Sequence, residues 1–181
     1  MGGRRRFPLN TSVEYVLAVL STTPGRWQQL VSTLPVDLLT RPPVSGEWSA
    51  LDCLQHLLDA ERFNFPVRVQ AFLAGQDLGA FDPNHQHSSS DAQTPEQLAA
   101  AFARYRHESL VLLRHLTDDD LGRTAQHPER GTVTLAEMLQ TWAAHDLNHT
   151  IQAERALIQP FMLGCGPWRP FFRDHEIGAP D

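Results

Sequence analysis

The sequence contains no lysine, and its positive charge is scarce. All 15 of its basic residues are arginines, against 21 acidic residues, which gives a formal net charge of −6 at pH 7. Acidic chains without a basic stripe are poorly suited to nucleic acid or to an anionic membrane surface. The one basic cluster, residues 4–6, lies beside Met1, in a region of the chain that is commonly frayed. We therefore expect neither a nucleic-acid partner nor a membrane partner.

Cysteines and long apolar runs are also scarce. The two cysteines, Cys53 and Cys165, lie far apart in the chain, and neither belongs to a CxxC pair. A disulfide framework is therefore not expected, and we assign Cys53 to the core and Cys165 to a loop. No apolar run approaches the roughly 20 residues of a membrane-spanning helix, and no signal-peptide cleavage site is evident. These absences predict a cytoplasmic protein.

Period-two alternation of apolar and polar residues is absent as well, so no β-strand is expected. Helix starts, in contrast, are easy to locate, because a hydroxyl residue is followed three residues later by the partner of a capping box. The four pairs are Thr11 with Glu14, Ser49 with Asp52, Thr94 with Gln97, and Thr134 with Glu137. A chain of 181 residues has the length of one domain.

Four helices follow from these starts. They cover about residues 12–33, 49–74, 95–116 and 135–159, and Gly75 and Pro160 end the second and the fourth. The TTPG segment at residues 22–25 is expected either to kink the first helix or to restart it. The connections are about 15–19 residues long and have the Pro, Gly, Asp and Ser content of loops. The predicted fold class is all-α, a single four-helix-bundle domain over residues 1–181 with crossover topology left open.

The segment HDLNH places His145 and His149 four residues apart on the apolar face of the fourth helix. Side chains at this spacing lie about 40° apart around the helix and one turn apart along it, so two ring nitrogens can converge on one ion. The alternative is a pair of core histidines bonded to carbonyl groups, and the spacing alone does not decide between them. His56, at the border of the second helix's apolar arc, can face the core too.

Four further residues lie near these histidines in the predicted bundle, and two of them have alternative roles. Glu61 is either a catalytic general base or hydrogen-bond acceptor at the site, or a partially exposed ion-pair partner of an arginine. Gln152, one turn beyond His149, either orients a ligand or substrate or is a core amide. Asp146 lies about 100° from His145 around the helix, so it is expected to be solvated. Trp142 is expected to pack in the core.

The segment GEWSALDCLQHLLDAERF, followed some ninety residues later by HDLNHTIQ, resembles the DinB-like superfamily, which includes the YfiT-type metal-dependent hydrolases. RPPVSGEW, FDPN and GTVTLAEML add to the resemblance, which covers about residues 22–159 and leaves the tail, 160–181, unassigned. It implies a four-helix bundle of atypical connection order with a divalent metal on His56, His145 and His149. Asn148 stands where many members of the family carry another histidine, which affects a substrate contact and not the three ligands.

A divalent ion on three neutral imidazoles keeps open positions for water or a thiolate, as catalytic zinc does. The resemblance therefore implies a metal cofactor, zinc first, with nickel or iron as alternatives. It also implies a small-molecule substrate and a thiol-dependent S-transferase that uses a low-molecular-weight thiol. The alternatives are a metal-dependent hydrolase, a non-catalytic stress-response or metal-binding bundle, and a purely structural bundle. A homodimer is expected to bury Leu147 and Ile151, on the side of the fourth helix away from its histidines.

Overall fold

The computed structural model describes residues 9–79 and 93–177. The arginines at 4–6 and the FDPN turn at 81–84 lie outside these ranges. Four long helices form the bundle: α1 (Leu9–Thr33), α3 (Ala50–Phe63), α5 (Pro95–Arg114) and α7 (Leu135–Gly164). The shorter elements are α2 (Val36–Leu39), α4 (Phe65–Leu73), α6 (Asp118–Leu121), β1 (Thr124–His127), β2 (Gly131–Thr134) and a C-terminal 3₁₀ helix (Gly166–His175).

The order of the helices around the bundle is not their order in the chain. Helices α1 and α3 each pack mainly against α5 and α7, so α1 and α3 face one another across the diagonal. In a simple up-and-down bundle, consecutive helices are neighbours and short loops join them. Here the connections from α1 to α3 and from α5 to α7 join helices at opposite corners, so each has to cross an end of the bundle. The predicted all-α bundle with crossover topology is confirmed.

Three of the four predicted capping boxes are confirmed. At Ser49, Thr94 and Thr134 the hydroxyl accepts a hydrogen bond from the amide three residues on, and that residue's side chain accepts one from the cap amide. Each box satisfies two amide groups that the helix itself leaves unpaired. The predicted start at Thr11 is wrong, because α1 already begins at Leu9.

Prolines account for two errors in the predicted helix ends. The predicted second helix is divided at Asn64 into α3 and α4, because Pro66 has no amide hydrogen with which to continue the α3 ladder. The fourth helix, in contrast, does not end at Pro160 but continues to Gly164. A proline can therefore divide a helix or be tolerated within it, depending on whether the backbone carbonyl that it leaves free finds another donor.

The predicted loop between the third and fourth helices contains regular structure. Helix α6 is followed by a two-stranded antiparallel hairpin in which Thr124 pairs with Thr134 and His127 with Gly131. The expectation of no strand is therefore wrong. Each strand has only four residues, which is too short for a period-two pattern to be distinguished from chance.

Helix α1 also continues through a proline, so the TTPG segment does not restart it. Pro24 cannot donate to the carbonyl of Leu20 one turn earlier. That carbonyl instead accepts from the hydroxyl of Thr23 at 3.1 Å and from the guanidinium of Arg106, on α5, at 3.0 Å. The interruption in the α1 ladder thereby becomes a contact between two helices.

The apolar core consists of two clusters, one toward each end of the bundle. One contains Phe65 and Trp142, and the other contains Trp27 and Phe102. Along each long helix, buried polar side chains separate the two clusters; they include Thr23, Glu61, Arg106 and Asp146. The histidines of α7 lie at the same level, between the two apolar clusters.

Exposed apolar residues mark one side of α7, where Leu147 is 39 % and Ile151 57 % exposed. No helix in residues 9–79 and 93–177 is long and apolar enough to span a membrane.

We propose that Leu147 and Ile151 are buried in a homodimer, and we expect light scattering to give twice the chain mass at micromolar concentration. Combining Leu147→Asp with Ile151→Asp should halve that mass without loss of helix content. A monomeric wild type at this concentration would contradict the proposal.

Candidate metal centre

The structure brings together the three histidines that the family resemblance implicates. His56 projects from α3 and meets His145 and His149 of α7, and one ring nitrogen from each lies within 4.8 Å of the others. The Nε2 atoms of His56 and His145 are 3.0 Å apart. The ring centroid of His149 is 4.4 Å from each of the other two. The three rings thus face one common point between two helices that contact each other directly.

Local sequence explains this convergence. His145 and His149 are one turn apart on α7, so their side chains lie above one another on a single face. His56 lies in the second turn of α3, whose start is held by the Ser49 capping box. The capping box sets where α3 begins, and thereby which of its residues face α7.

Gln152 contacts one of these rings directly. Its Oε1 atom lies 2.9 Å from Nδ1 of His149, one turn earlier on α7. An amide oxygen only accepts hydrogen bonds, so this contact places the proton on Nδ1 and leaves the Nε2 lone pair available. Gln152 therefore orients the ring of His149. Whether it also contacts a cofactor or substrate stays a prediction.

Aromatic rings surround the three imidazoles. Trp48 lies 4.9 Å from His56 and stacks on His149 at 5.6 Å with an interplanar angle of 25°. On the other side, the edge of Phe65 contacts His145, with ring centroids 5.1 Å apart. These rings limit the rotation of the histidines and shield them from water. Neither Trp48 nor Phe65 was predicted to contact the histidines, although the GEW segment that precedes α3 contains Trp48.

The histidines of α7 are held in their neutral form. Burial, helped by the neighbouring His149, His56 and Arg106, lowers the pKa of His145 to about 3. Burial also lowers the pKa of His149, although Gln152 and Asp146 oppose the shift. Neutral imidazoles are the form that binds metal ions. The site therefore fits a divalent ion of the kind that prefers nitrogen ligands, such as zinc, nickel or iron.

Glu61 is buried, with 3 % of its surface exposed, and its oxygens are fully engaged. One oxygen accepts from Arg106 Nε at 2.8 Å and from Trp142 Nε1 at 3.0 Å, and the other accepts from Ser109 at 2.7 Å. Burial raises the pKa of Glu61, while the charge and hydrogen bonds of Arg106 oppose that shift. The expected ion pair with an arginine is present, but it is buried rather than exposed. A catalytic role for Glu61 stays a prediction.

Asp146 is not solvated, so that expectation is wrong. It is 1 % exposed, accepts from Arg106 Nη1 at 2.6 Å and Nη2 at 2.8 Å, and also accepts from the hydroxyl of Thr23 at 2.7 Å. Its position about 100° from His145 points it into the bundle, where Thr23 of α1 and Arg106 of α5 meet it, and not toward solvent. Trp142 is buried as expected and stacks on Phe65.

The Arg106 network is the set of buried groups around this guanidinium: Thr23, Glu61, Arg106, Ser109, Trp142 and Asp146. It joins α1, α3, α5 and α7 at one level. Burial lowers the pKa of Arg106, but the carboxylates of Asp146 and Glu61 outweigh that effect and raise it overall. Within this layer one guanidinium is paired with two buried carboxylates.

Arg106 was overlooked because arginines are most often exposed. Its position nevertheless carried a signal, since it is four residues after Phe102 and four before Leu110, both of which are buried. That spacing puts the side chain on the apolar stripe of α5. A charged residue on such a stripe predicts a buried partner of opposite charge.

Comparisons with known proteins agree with this geometry. Residues 20–153 match the model of the DinB superfamily. A protein of Oceanobacillus iheyensis, named "Putative metal-dependent hydrolase", is 24 % identical over 58 % of this chain and 62 % of its own length, which is less than two thirds. A protein of the same description from Halalkalibacterium halodurans is 22 % identical over 77 % of this chain and 83 % of its own.

A solved structure shares the fold. YfiT from Bacillus subtilis, described as "a probable metal-dependent hydrolase with an unusual four-helix bundle topology", has a TM-score of 0.73 and 20 % identity. The match covers 89 % of this chain and 93 % of YfiT. The family model spans most of the bundle, from α1 into the second half of α7. The chain belongs to the DinB superfamily.

Proposed function

We propose that this protein is a divalent-metal-dependent hydrolase whose metal is held by His56, His145 and His149. The observation that supports it is the convergence of three imidazoles from two helices. A divalent ion at this point supplies Lewis-acid activation of a substrate and of a small nucleophile. The names of the relatives describe the same class of activity.

The residues around the histidines have distinct tasks in this proposal. Gln152 fixes the tautomer of His149, so that one nitrogen always faces the ion. Trp48 and Phe65 hold the rings in place and exclude water from two sides. The Arg106 network ties α3 to α7, and the relative position of these two helices sets the distance between His56 and the other ligands.

The hydrolase proposal is tested by metal analysis followed by assays of the zinc-loaded protein on ester, amide and phosphoester substrates. We expect about one divalent ion per chain, and an activity that a chelator removes and added zinc restores. Nickel-loaded and iron-loaded protein, assayed in parallel, identify the metal that supports turnover. Metal-replete protein that turns over none of these substrates would contradict the hydrolase assignment.

Thiol-dependent S-transfer is the second candidate function, and a specific observation favours it. Glu61 and Asp146 are both engaged by Arg106, so neither is free to take a proton from an attacking water. A thiol that contacts a metal loses its proton without such a base. We expect S-transfer to appear as zinc-dependent consumption of glutathione, bacillithiol or mycothiol together with an electrophile. Metal binding without either activity would leave the non-catalytic metal-binding alternative.

Acid should release the metal. Burial and neighbouring groups lower the pKa of His145 to about 3, and burial also lowers the pKa of His149. Protons therefore compete with the metal only below the ordinary histidine range, near pH 6.5. We expect occupancy to be full at pH 7 and to fall as the pH is lowered from about 6 toward 3. Metal content measured after equilibration across this range checks the prediction. Unchanged occupancy at the acid end would argue against histidine ligands.

A further inference from the structure

A cavity of about 510 Å³ lies beside the three histidines, within the size range of small-molecule sites. It is lined on one side by residues of α7, and on the other by the end of the chain segment that follows the 3₁₀ helix. Its lining includes Glu47, Gln152, Arg155, Glu176 and Ile177. The tail, to which no function could be assigned from sequence, therefore forms a wall of this cavity.

The cavity and the histidine cluster share a residue. Gln152 lines the cavity and also contacts Nδ1 of His149. Along α7, Arg155 follows His149 by six residues, which corresponds to an axial rise of about 9 Å. A molecule as long as two or three amino-acid residues can reach from one to the other, since an extended residue spans about 3.3–3.6 Å.

The guanidinium of Arg155 lines this cavity and is only partly paired. Its Nε atom is buried and has no partner in the described part of the chain. Its Nη2 atom makes only a long contact, 3.5 Å, with the carbonyl of Glu176. A buried donor without a partner is unfavourable, and the planar fork of a guanidinium matches the two oxygens of a carboxylate.

The acidic residues of the cavity differ in their pairing. Glu176 forms a salt bridge with Arg169 at 3.0 Å, which offsets its charge. Glu47 forms no ion pair or side-chain hydrogen bond with any residue in 9–79 or 93–177, and the same ranges hold no ion pair of Arg155. The cavity thus presents one uncompensated positive and one uncompensated negative group, with Ile177 as an apolar wall. A dianion such as phosphate would be repelled by Glu47.

We propose that this cavity binds a short peptide-like zwitterion, a molecule with an ammonium group at one end and a carboxylate at the other. Arg155 takes the carboxylate, Glu47 takes the ammonium group, and the rest of the molecule extends past Gln152 toward the histidines. The tail forms the opposite wall, and it is attached to α7 because Gln159 donates to the carbonyl of His175 at 2.8 Å. This inference rests on the proposed function, in which the histidine cluster is the reactive centre.

The test uses three probes that differ by one charge: alanyl-alanine, alanyl-alaninamide and N-acetyl-alanyl-alanine. Their binding to the full-length protein, metal-free and zinc-loaded, is followed by chemical-shift changes in NMR titrations. A charge-assisted hydrogen bond corresponds to about a tenfold effect on affinity or more. We expect the dipeptide to bind at least about tenfold more tightly than the other two probes, on the same reasoning.

Two variants assign the charges. Arg155→Gln should bind the dipeptide and its amide equally, whereas Glu47→Gln should bind the dipeptide and its acetylated form equally. Arg114→Gln, which alters an exposed arginine of α5, is the matched control and should keep both preferences. Circular dichroism verifies that each variant is folded. Wild type that does not bind the dipeptide or prefers neither charge, or an Arg155→Gln protein that keeps its preference, would overturn the inference.

His56→Ala separates this inference from the proposed function. His56 lies on α3 and does not line the cavity. We expect the variant to lose zinc and to bind the dipeptide in the metal-free state as wild type does. If wild type does not bind zinc but keeps both dipeptide preferences, the metal-centred function is refuted and the zwitterion site is not. Normal zinc-dependent activity without dipeptide binding would refute the site alone.

Discussion

Replacing His56 or His149 with alanine is expected to abolish metal binding and to lower the melting temperature of the metal-loaded protein by about 10 °C. An ion present at a thousand times its Kd stabilises the folded state by about 4 kcal/mol, and for a domain of this size 1 kcal/mol corresponds to about 2–4 °C. Each variant should lose that stabilisation, because the ion joins α3 to α7 only when both helices contribute ligands. Calorimetry and metal analysis of the purified proteins measure the two effects.

The decisive comparison is made after a chelator has removed the metal. Wild type, His56→Ala and His149→Ala should then melt at similar temperatures, since the lost stabilisation came from metal binding to the folded state. A histidine that only packs in the core would behave differently, because its removal leaves a cavity or an unpaired group with or without metal. His107→Ala, an exposed histidine of α5, is the control and should match wild type in both states.

One outcome would reject the three-histidine site. If His56→Ala keeps full metal occupancy while His149→Ala loses it, the ion is held by α7 with other groups. The contribution of α3, which rests on the family resemblance, would then be wrong. A difference between wild type and His56→Ala that survives chelation would instead identify His56 as a core residue.

The helix starts could be predicted because their causes are local. A capping box involves residues three apart, so Ser49, Thr94 and Thr134 could be located without knowledge of the fold. The effects of proline were harder to predict. Pro24 is tolerated because Arg106, 82 positions further along the chain, donates to the carbonyl that the proline leaves free. Whether a proline ends a helix thus depends on a partner that the local sequence does not show.

The candidate site divides in the same way. The one-turn spacing of His145 and His149 on α7 is local, whereas the addition of His56 from α3 required the family resemblance. The partners of Asp146 are a threonine 123 positions away and an arginine 40 positions away. The angular distance of Asp146 from His145 predicts solvent exposure only for a helix that is covered on a single face. This helix contacts α1 on one side and α3 on another, so a larger part of its surface is covered.

A recurrent pattern could have revealed the Arg106 network. Thr23 and Arg106 each have a buried apolar residue three or four positions before and after them in their helices, and Glu61 and Asp146 each have one before them. Each occupies a core position of an otherwise apolar stripe. The charges of three of them, one positive and two negative, are those of a shared buried cluster. Polar residues at core positions of all four long helices therefore predict a layer that crosses the bundle.

Substitution of Arg106 by methionine should be the most destabilising single change in the bundle. The variant retains apolar volume but leaves Glu61 and Asp146 buried without their cation, and removing one member of a buried ion pair costs about 3–5 kcal/mol. Domains of this kind are stable by only about 5–15 kcal/mol, so the variant should be partly or wholly unfolded at mild urea concentrations. Arg114→Met, at an exposed position of the same helix, should cost less than about 0.5 kcal/mol.

Two further measurements separate lost charge pairing from lost packing. Adding Glu61→Gln and Asp146→Asn to Arg106→Met removes both unpaired charges, and should restore much of the stability seen in urea titrations followed by circular dichroism. The pH dependence has a defined sign. Without Arg106, burial acts on Glu61 unopposed and holds its folded pKa further above its unfolded value. A group whose pKa is raised on folding loses stabilisation as the pH rises, so the difference between wild type and Arg106→Met should shrink from pH 7 toward pH 5. An Arg106→Met protein within about 1 kcal/mol of wild type at pH 7 would show that the network is not required to hold the four helices together.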